Sequence, residues 1–132
     1  MYYLDTNTCI YFLNGTNERV RTKLLSTVPK EIAIPSIVKA ELLLGAYKSR
    51  KREYNIEKIE QFLEPFTVVP FEDEMTYVYA EIRSAMETKG IVIGPNDLLI
   101  ASIVKYKNGI LVTNNVSEFS RIEGLLIDNW AQ

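Results

Sequence analysis

The chain has 132 residues, of which 47% are hydrophobic and 24% charged, and its formal net charge is −2. This composition is typical of one globular domain and excludes a disordered or fibrous protein. The chain has no histidine and a single cysteine, Cys9, which excludes Ser-His-Asp and Cys-His catalysis, histidine-bound zinc and a disulfide framework. Carboxylates are therefore the groups expected to carry any catalysis, and their oxygens favour Mg²⁺ or Mn²⁺.

Short apolar strands alternate with helical patterns along the chain. The predicted strands are Tyr2–Leu4, Ile32–Ile34, Thr67–Val69, Ile110–Val112 and Leu125–Ile127. The predicted helices are Thr8–Leu13 (entered through Asn7), Arg19–Leu25, Ser36–Tyr47 (with Ser36 as its cap), Tyr54–Leu63, Met75–Lys89 and Asp97–Lys107. This alternation predicts one α/β domain over residues 1–132, with a central, mostly parallel sheet flanked by helices. Sites in such folds form at the carboxyl ends of strands, near a switch in strand order.

Neither export nor membrane insertion is predicted. The segment from Met1 to Asp5 has no basic region followed by an apolar one, as a signal peptide would. No apolar run approaches the roughly 18 residues needed to span a bilayer. We therefore expect a cytoplasmic protein without membrane contact, in which Cys9 is a buried small hydrophobe.

Two aspartates stand at places where a ligand site would form. Asp5 follows the first strand directly, although it could equally cap the next helix. Asp97 opens a nearly all-apolar helix, where an acid also favours the helix dipole. Because Ala101 and Val104 lie along the same side of that helix, we expect this end to face inward.

Glu41 lies in the apolar stripe of its helix. Advancing about 100° per residue from Ile37 places Leu44 at about 340° and Glu41 at about 40°, both on the apolar side of the helix. Lys39, at about 200°, lies on the opposite side. A buried carboxylate is costly unless it is paired, protonated or bound to a metal. A structural salt bridge is the alternative to a functional role.

The segment after the fourth strand supplies further polar groups. Thr113, Asn114 and Asn115 could be turn residues, and Glu118 could be a solvated acid. Three acids that are distant in sequence, Asp5, Glu41 and Asp97, are nevertheless predicted to lie at one edge of a small sheet. Since crowded carboxylates repel, a divalent cation is the simplest reason for such a cluster.

Four motifs in order resemble those of PIN domains, and together they are similar to VapC-type ribonuclease toxins of bacterial toxin–antitoxin pairs. They are residues 4–7 (LDTN), 38–46 (VKAELLLGA), 94–101 (GPNDLLIA) and 111–119 (LVTNNVSEF), followed by Arg121, Gly124 and Trp130. The resemblance covers essentially the whole chain. It implies a three-layer PIN-like domain and an Mg²⁺- or Mn²⁺-dependent endoribonuclease that acts on RNA, with transfer RNA as one possible substrate. It also implies a cognate antitoxin, a homodimer, and contact with DNA only through the antitoxin.

The resemblance assigns roles to particular residues. Asp5, Glu41 and Asp97 match the family's first three acids, with Asp5 and Asp97 as metal ligands and Glu41 completing the shell or orienting the attacking water. Many PIN domains have an aspartate where this chain has Asn114 and Asn115, so Glu118 is carried over as the fourth acid and one metal or two remain possible. Positioning roles fall to the following side chains: Thr6, Asn7, Thr113 and Asn115.

A basic run follows the Glu41 helix directly. Lys48, Arg50, Lys51 and Arg52 place four positive charges within five residues, as a substrate-binding phosphate track requires. A solvated helix end is the alternative for this run. The neighbouring Tyr47 and Tyr54 could stack on a base or pack against the antitoxin.

Three other functions were weighed. A haloacid-dehalogenase-like phosphatase also places an aspartate after its first strand, but it requires a second one at the position of Asn7. A PIN-like binding module without turnover is a second alternative, because of the uncertain fourth acid. A DNA-binding regulator fits poorly with the net charge of −2 and the lack of a helix-turn-helix pattern.

Overall fold

The computed structural model describes residues 1–132 and is built on a five-stranded sheet. The strands are β1 (Tyr2–Leu4), β2 (Ile32–Pro35), β3 (Thr67–Val69), β4 (Ile110–Val112) and β5 (Leu126–Asp128). Seven helices flank them: α1 (Thr6–Asn14), α2 (Glu18–Ser26), α3 (Ser36–Lys48), α4 (Arg52–Leu63), α5 (Met75–Thr88), α6 (Pro95–Tyr106) and α7 (Val116–Phe119). A short 3₁₀ turn covers Pro29–Glu31.

Every neighbouring pair of strands is parallel, in the order β3-β2-β1-β4-β5. The chain builds outward from β1 through β2 to β3, then returns to the other side of β1 with β4. The strand order therefore reverses between β1 and β4, where Leu4 is in register with Val112. Ligands of open parallel sheets bind at this kind of switch point. The predicted α/β class with a parallel sheet is confirmed.

The core that holds this sheet is a single cluster of 29 buried hydrophobic residues. The central strands contribute completely buried side chains such as Leu4, Ile34 and Val112, as expected for a parallel sheet covered on both faces. Cys9 is also fully buried, which confirms the prediction of a small hydrophobe. No helix is both long and apolar enough to cross a lipid bilayer.

The starts of two helices differ from the prediction. Asp5, rather than Asn7, caps α1, because its Oδ1 accepts a hydrogen bond of 2.9 Å from the backbone N–H of Thr8. Ser36 is the first residue of α3 and not its cap, since Pro35 holds the extended conformation before the helix. The prediction assigned the helix caps from residue type alone, whereas the cap is the residue whose backbone lies just outside the helix.

Other boundaries shift by one or two residues. The helix α6 begins at Pro95, because proline suits a first turn whose N–H has no partner. The helix α4 begins earlier than predicted, at Arg52. The strand β5 is displaced by one residue and ends at Asp128, while residues Val116–Phe119, for which no element was predicted, form α7.

Candidate active site

Asp5 stands at the carboxyl end of β1, at the switch point of the sheet. Its backbone N–H donates to the carbonyl of Val112 over 3.1 Å, which fixes Asp5 beside the end of β4. Its side chain is 7% exposed. Burial raises the pKa of Asp5, and the charge of Glu41 adds to this, while hydrogen bonds from Thr113 and Thr8 oppose it. Asp5 is thus both a helix cap and a carboxylate held next to other acids.

Glu41 reaches the same edge from α3. Its Oε1 accepts a 2.6 Å hydrogen bond from the Thr6 hydroxyl, and its Oε2 accepts a longer one of 3.4 Å from Asn96. The predicted apolar stripe is only partly right, because Leu44 is 56% exposed. Glu41 therefore lies at the edge of the buried face, partly buried. It forms no salt bridge, so the structural alternative for this residue is not supported.

Asp97 lies in the first turn of α6, where it faces the other acids. Its pKa is raised to about 7, mainly by burial, then by a hydrogen bond shared with Glu118 and by the charges of Glu118, Glu41 and Asp5. The helix N-terminus favours a negative charge at this place. Burial and, after it, the crowding of carboxylates outweigh that effect, so the group resists ionisation when no cation is present.

Glu118 joins the cluster from α7. Its Oε2 accepts a 2.8 Å hydrogen bond from the amide Nδ2 of Asn115, and Asn115 is itself held by a backbone hydrogen bond of 2.9 Å to the Thr113 hydroxyl. Its other oxygen, Oε1, is buried and accepts no hydrogen bond from any neutral or cationic group. A buried carboxylate oxygen without a donor is costly. A positive charge beside this oxygen would relieve that cost.

The chemistry of these side chains suits a hard divalent cation. All four acids offer oxygen ligands, and their mutual repulsion and the unpaired Glu118 Oε1 are both relieved by a positive charge between them. As they stand, no three of the side chains are close enough to form a ready coordination shell. Binding of an ion would require the side chains of the cluster to move closer together.

The predicted positioning residues divide into two groups. Thr6, Thr113 and Asn115 each hydrogen-bond an acid of the cluster. Asn7 does not, because its side chain is exposed and makes no hydrogen bond, so the positioning role predicted for it has no structural support. The phosphatase alternative, which needs an acid at this position, loses its basis as well.

The basic run lies at the turn between α3 and α4, beyond the end of the helix that carries Glu41. Lys48, Arg50 and Lys51 are exposed and form no salt bridge. Arg52 differs, since its Nε and Nη2 donate to the carbonyl of Tyr47 over 3.1 and 2.9 Å. Arg52 therefore closes the carboxyl end of α3 and is less free to bind phosphate than its place in the run predicted.

Sequence reasoning missed three polar residues at this edge. Thr8 hydrogen-bonds Asp5 and the carbonyl of Val112, and Asn96 approaches Glu41. Asn114 bonds the Tyr11 hydroxyl over 3.4 Å at the rim. The position of Asn96, directly before Asp97, indicated that it lies near the site, but nothing in the sequence indicated which acid it would contact.

Comparisons with known proteins identify the family to which the chain belongs. The family model described as PIN domain matches residues 2–125. Ribonuclease VapC2 of Rickettsia felis is 44% identical over 131 residues, which are 98% of each chain. The tRNA(fMet)-specific endonuclease VapC of Salmonella typhimurium is 35% identical over 130 residues, or 98% of this chain and 97% of that one.

Among solved structures, VapBC2 from Rickettsia felis bound to a DNA fragment from their promoter contains a chain with the same fold. It matches with a TM-score of 0.91 and 43% identity, over 98% of both chains. The resemblance found in the four motifs is thereby confirmed. The chain belongs to the PIN domain family, and the relatives that it matches over nearly their whole length are VapC-type ribonucleases.

Proposed function

We propose that the chain is a metal-dependent endoribonuclease, the toxin of a toxin–antitoxin pair, which hydrolyses phosphodiester bonds of RNA. The observation that carries this proposal is the meeting of Asp5, Glu41, Asp97 and Glu118 at the switch point of a parallel sheet. The names of its VapC relatives, a ribonuclease and a tRNA(fMet)-specific endonuclease, support it.

Asp5 and Asp97 are the side chains that would hold Mg²⁺ or Mn²⁺, with Glu41 and Glu118 on either side. When bound, the cation supplies charge neutralisation at the scissile phosphate and lowers the pKa of a bound water. Asp5 is the most rigid of these ligands, because it is buried and fixed by Thr8 and Thr113. Asp97 would give up its proton on binding, so affinity for the cation should increase as pH rises towards neutrality.

Glu41 and Glu118 are placed to orient a water and to accept its proton. The Thr6 hydroxyl holds one oxygen of Glu41, and the Asn115 amide holds one oxygen of Glu118. The other oxygen of Glu41 accepts only a long hydrogen bond of 3.4 Å from Asn96, and the other oxygen of Glu118 has no hydrogen-bond partner, so these are the oxygens that would accept the proton. In each carboxylate, a hydrogen bond to one oxygen would fix the orientation of the group while the other oxygen accepts the proton.

The substrate and partners follow from the relatives. We propose transfer RNA as the first substrate to test, because one relative is named as a tRNA endonuclease. A cognate antitoxin would neutralise the toxin in the cytoplasm, as the VapBC2 complex suggests, and DNA would be contacted only through that partner. A homodimer is the expected state of the chain, and light scattering of the free protein would test it.

Cleavage of RNA by the purified chain tests the proposal. Total RNA and a transfer RNA fraction are incubated with Mg²⁺ or Mn²⁺, with and without chelator. Asp97→Asn is the inactive variant. Asp73→Asn is its matched control, because Asp73 is an exposed aspartate whose side chain makes no hydrogen bond.

Fragments that require the cation, persist in Asp73→Asn and vanish in Asp97→Asn are the expected result. Cleavage that survives in Asp97→Asn would identify a contaminating nuclease. If the native chain neither cuts these RNAs nor gains thermal stability from Mn²⁺, the carboxylate site is not a metal-dependent nuclease, and the inactive binding module becomes the better description.

A further inference from the structure

The turn between α3 and α4 carries a positive charge that the rest of the chain lacks. Residues 47–55 contain four cations, in the run from Lys48 to Arg52, and one acid, Glu53, for a net charge of +3. Because the whole chain has a net charge of −2, the remaining residues sum to −5. A polyanion that approaches this acidic protein is attracted to this turn by its net positive charge.

Two exposed aromatic rings lie within the same turn. Tyr47 is 52% exposed and Tyr54 is 63% exposed. The guanidinium of Arg52 lies 4.8 Å from the centre of the Tyr47 ring, and the Lys51 ammonium lies 5.9 Å from that of Tyr54. Exposed rings beside cations are the components that bind single-stranded nucleic acid, because bases stack on the rings while cations hold the backbone.

Internal hydrogen bonds make this turn rigid. Arg52 is bonded twice to the Tyr47 carbonyl. The Ser49 hydroxyl donates to the Ala46 carbonyl over 2.6 Å and accepts from the Asn55 amide over 2.9 Å. A surface that is already ordered loses little conformational entropy when it binds a ligand.

A groove connects the turn to the catalytic edge. It has a volume of about 300 Å³ and lies between α1, α3 and α4, with Glu41, Gly45 and Asn55 among its ten lining residues, half of which are hydrophobic. Nothing lies within 4 Å of the place where a side chain on Gly45 would begin, so the floor of the groove is open there. Lys48 follows Glu41 by seven residues, which places it on the same face of α3, about 10 Å further along.

We propose that Tyr47 and Tyr54 are a stacking platform for unpaired nucleotides of the RNA substrate, with Lys48, Arg50 and Lys51 on the backbone phosphates. The strand continues from this platform along the groove to Glu41. The inference rests on the proposed nuclease function and specifies its substrate class: RNA whose bases are unpaired beside the scissile bond. Bases within a duplex are already stacked on one another and leave no free face for the two rings.

Binding of a labelled, unpaired RNA oligonucleotide, measured by fluorescence anisotropy, tests the platform. The measurement uses full-length Asp97→Asn protein with chelator, so that no strand is cut. Tyr47→Ala and Tyr54→Ala are each expected to weaken binding about tenfold, and the phenylalanine variants to remain within about twofold. Tyr77→Ala is the matched control, because Tyr77 is 78% exposed on α5 and has no cation over its ring. A duplex of the same length should bind more weakly and equally to all variants.

The platform is refuted if Tyr47→Ala and Tyr54→Ala bind the unpaired strand as Tyr77→Ala does. It is also refuted if the phenylalanine variants lose as much affinity as the alanine ones, because the hydroxyl and not the ring would then matter. Unchanged RNA binding with weakened antitoxin binding would assign the surface to the protein partner. Since binding is measured without cleavage, these outcomes remain separate from a failure of the nuclease assay, and melting curves confirm that each variant is folded.

Discussion

Replacing Asp97 with asparagine should make the metal-free protein more stable while removing its activity. In the folded state the pKa of Asp97 is about 7, against an ordinary value of 3.8, because burial and three neighbouring carboxylates disfavour the charge. Ionising Asp97 at neutral pH therefore lowers the free energy of unfolding. Asparagine keeps the size of the side chain and avoids this charge.

The magnitude follows from the shift in pKa. A difference of about 3 pKa units corresponds to about 4 kcal/mol. Asp97 is partly exposed, and solvent screening reduces this value, so we expect about 1–2 kcal/mol. For a domain of this size that is an increase in Tm of about 3–7 °C.

The pH dependence has a definite sign. Below the unfolded pKa near 3.8, Asp97 is protonated in both states and the variant gains nothing. The wild type loses stability as the pH rises from there towards 7, since the unfolded state has released a proton that the folded state still holds. The advantage of Asp97→Asn therefore grows between about pH 4 and 7 and then stays constant.

Thermal unfolding in chelator at pH 4.5 and pH 8 measures this effect. Glu18→Gln is the control, because Glu18 is also an acid in the first turn of a helix, α2, but is exposed. It should lose only the helix-dipole contribution, about 0.3–1 kcal/mol. Added Mn²⁺ should stabilise the wild type and leave Asp97→Asn unchanged. If Asp97→Asn is no more stable than the wild type at pH 8, the carboxylates do not destabilise the metal-free fold.

Four further substitutions have defined outcomes. Thr6→Val removes the hydroxyl that holds Glu41. The kcat for RNA cleavage should fall about 10- to 100-fold with little change in KM, as expected for the loss of a residue that orients a catalytic group. An equal loss of affinity for RNA would argue for a structural role of Thr6 instead. Cys9→Ser places a hydroxyl in a fully buried apolar site and should lower the free energy of unfolding in urea by about 1–3 kcal/mol, and the native thiol should resist alkylation until the chain unfolds. Gly109→Ala should cost about 1–3 kcal/mol, because its Cβ would overlap the ring of Tyr3 and lie 3.2 Å from the Met1 carbonyl, whereas Gly45→Ala, with open space around it inside α3, should gain about 0.5–1 kcal/mol.

The sequence contains enough to place the acids at one edge of the sheet, but too little to show how they are held. Asp5 and Asp97 stand out because each interrupts an apolar pattern at a strand end or helix start. Glu41 stands out by helical phase, although Leu44, used to define that phase, proved exposed. These are local patterns, which periodicity and turn chemistry can predict.

The remaining features depend on contacts between distant residues. The hydrogen bond between Thr6 and Glu41 joins positions 35 residues apart, and that between Asn96 and Glu41 joins positions 55 apart. Whether Glu118 points into the cluster depends on α7, which is a single short turn with no periodic signal. The charge of Arg52 alone could not show whether its side chain is free to bind phosphate or, as in the structure, donates to the Tyr47 carbonyl.

The strand order has a consequence for the order in which the protein folds during its synthesis on the ribosome. The backbone N–H of Thr113, at the end of β4, bonds the carbonyl of Asp128 in β5 over 2.9 Å, and the buried Trp130 packs 5.3 Å from the ring of Tyr2. All four carboxylates have therefore been synthesised before the residues that brace them are available. Because β5 pairs with β4, the end of β4 beside the acids is complete only after Leu126–Asp128 have been made and have paired, so a shorter nascent chain should not cleave RNA. Cleavage by stalled, ribosome-bound chains that end before Leu126 would contradict this order of events.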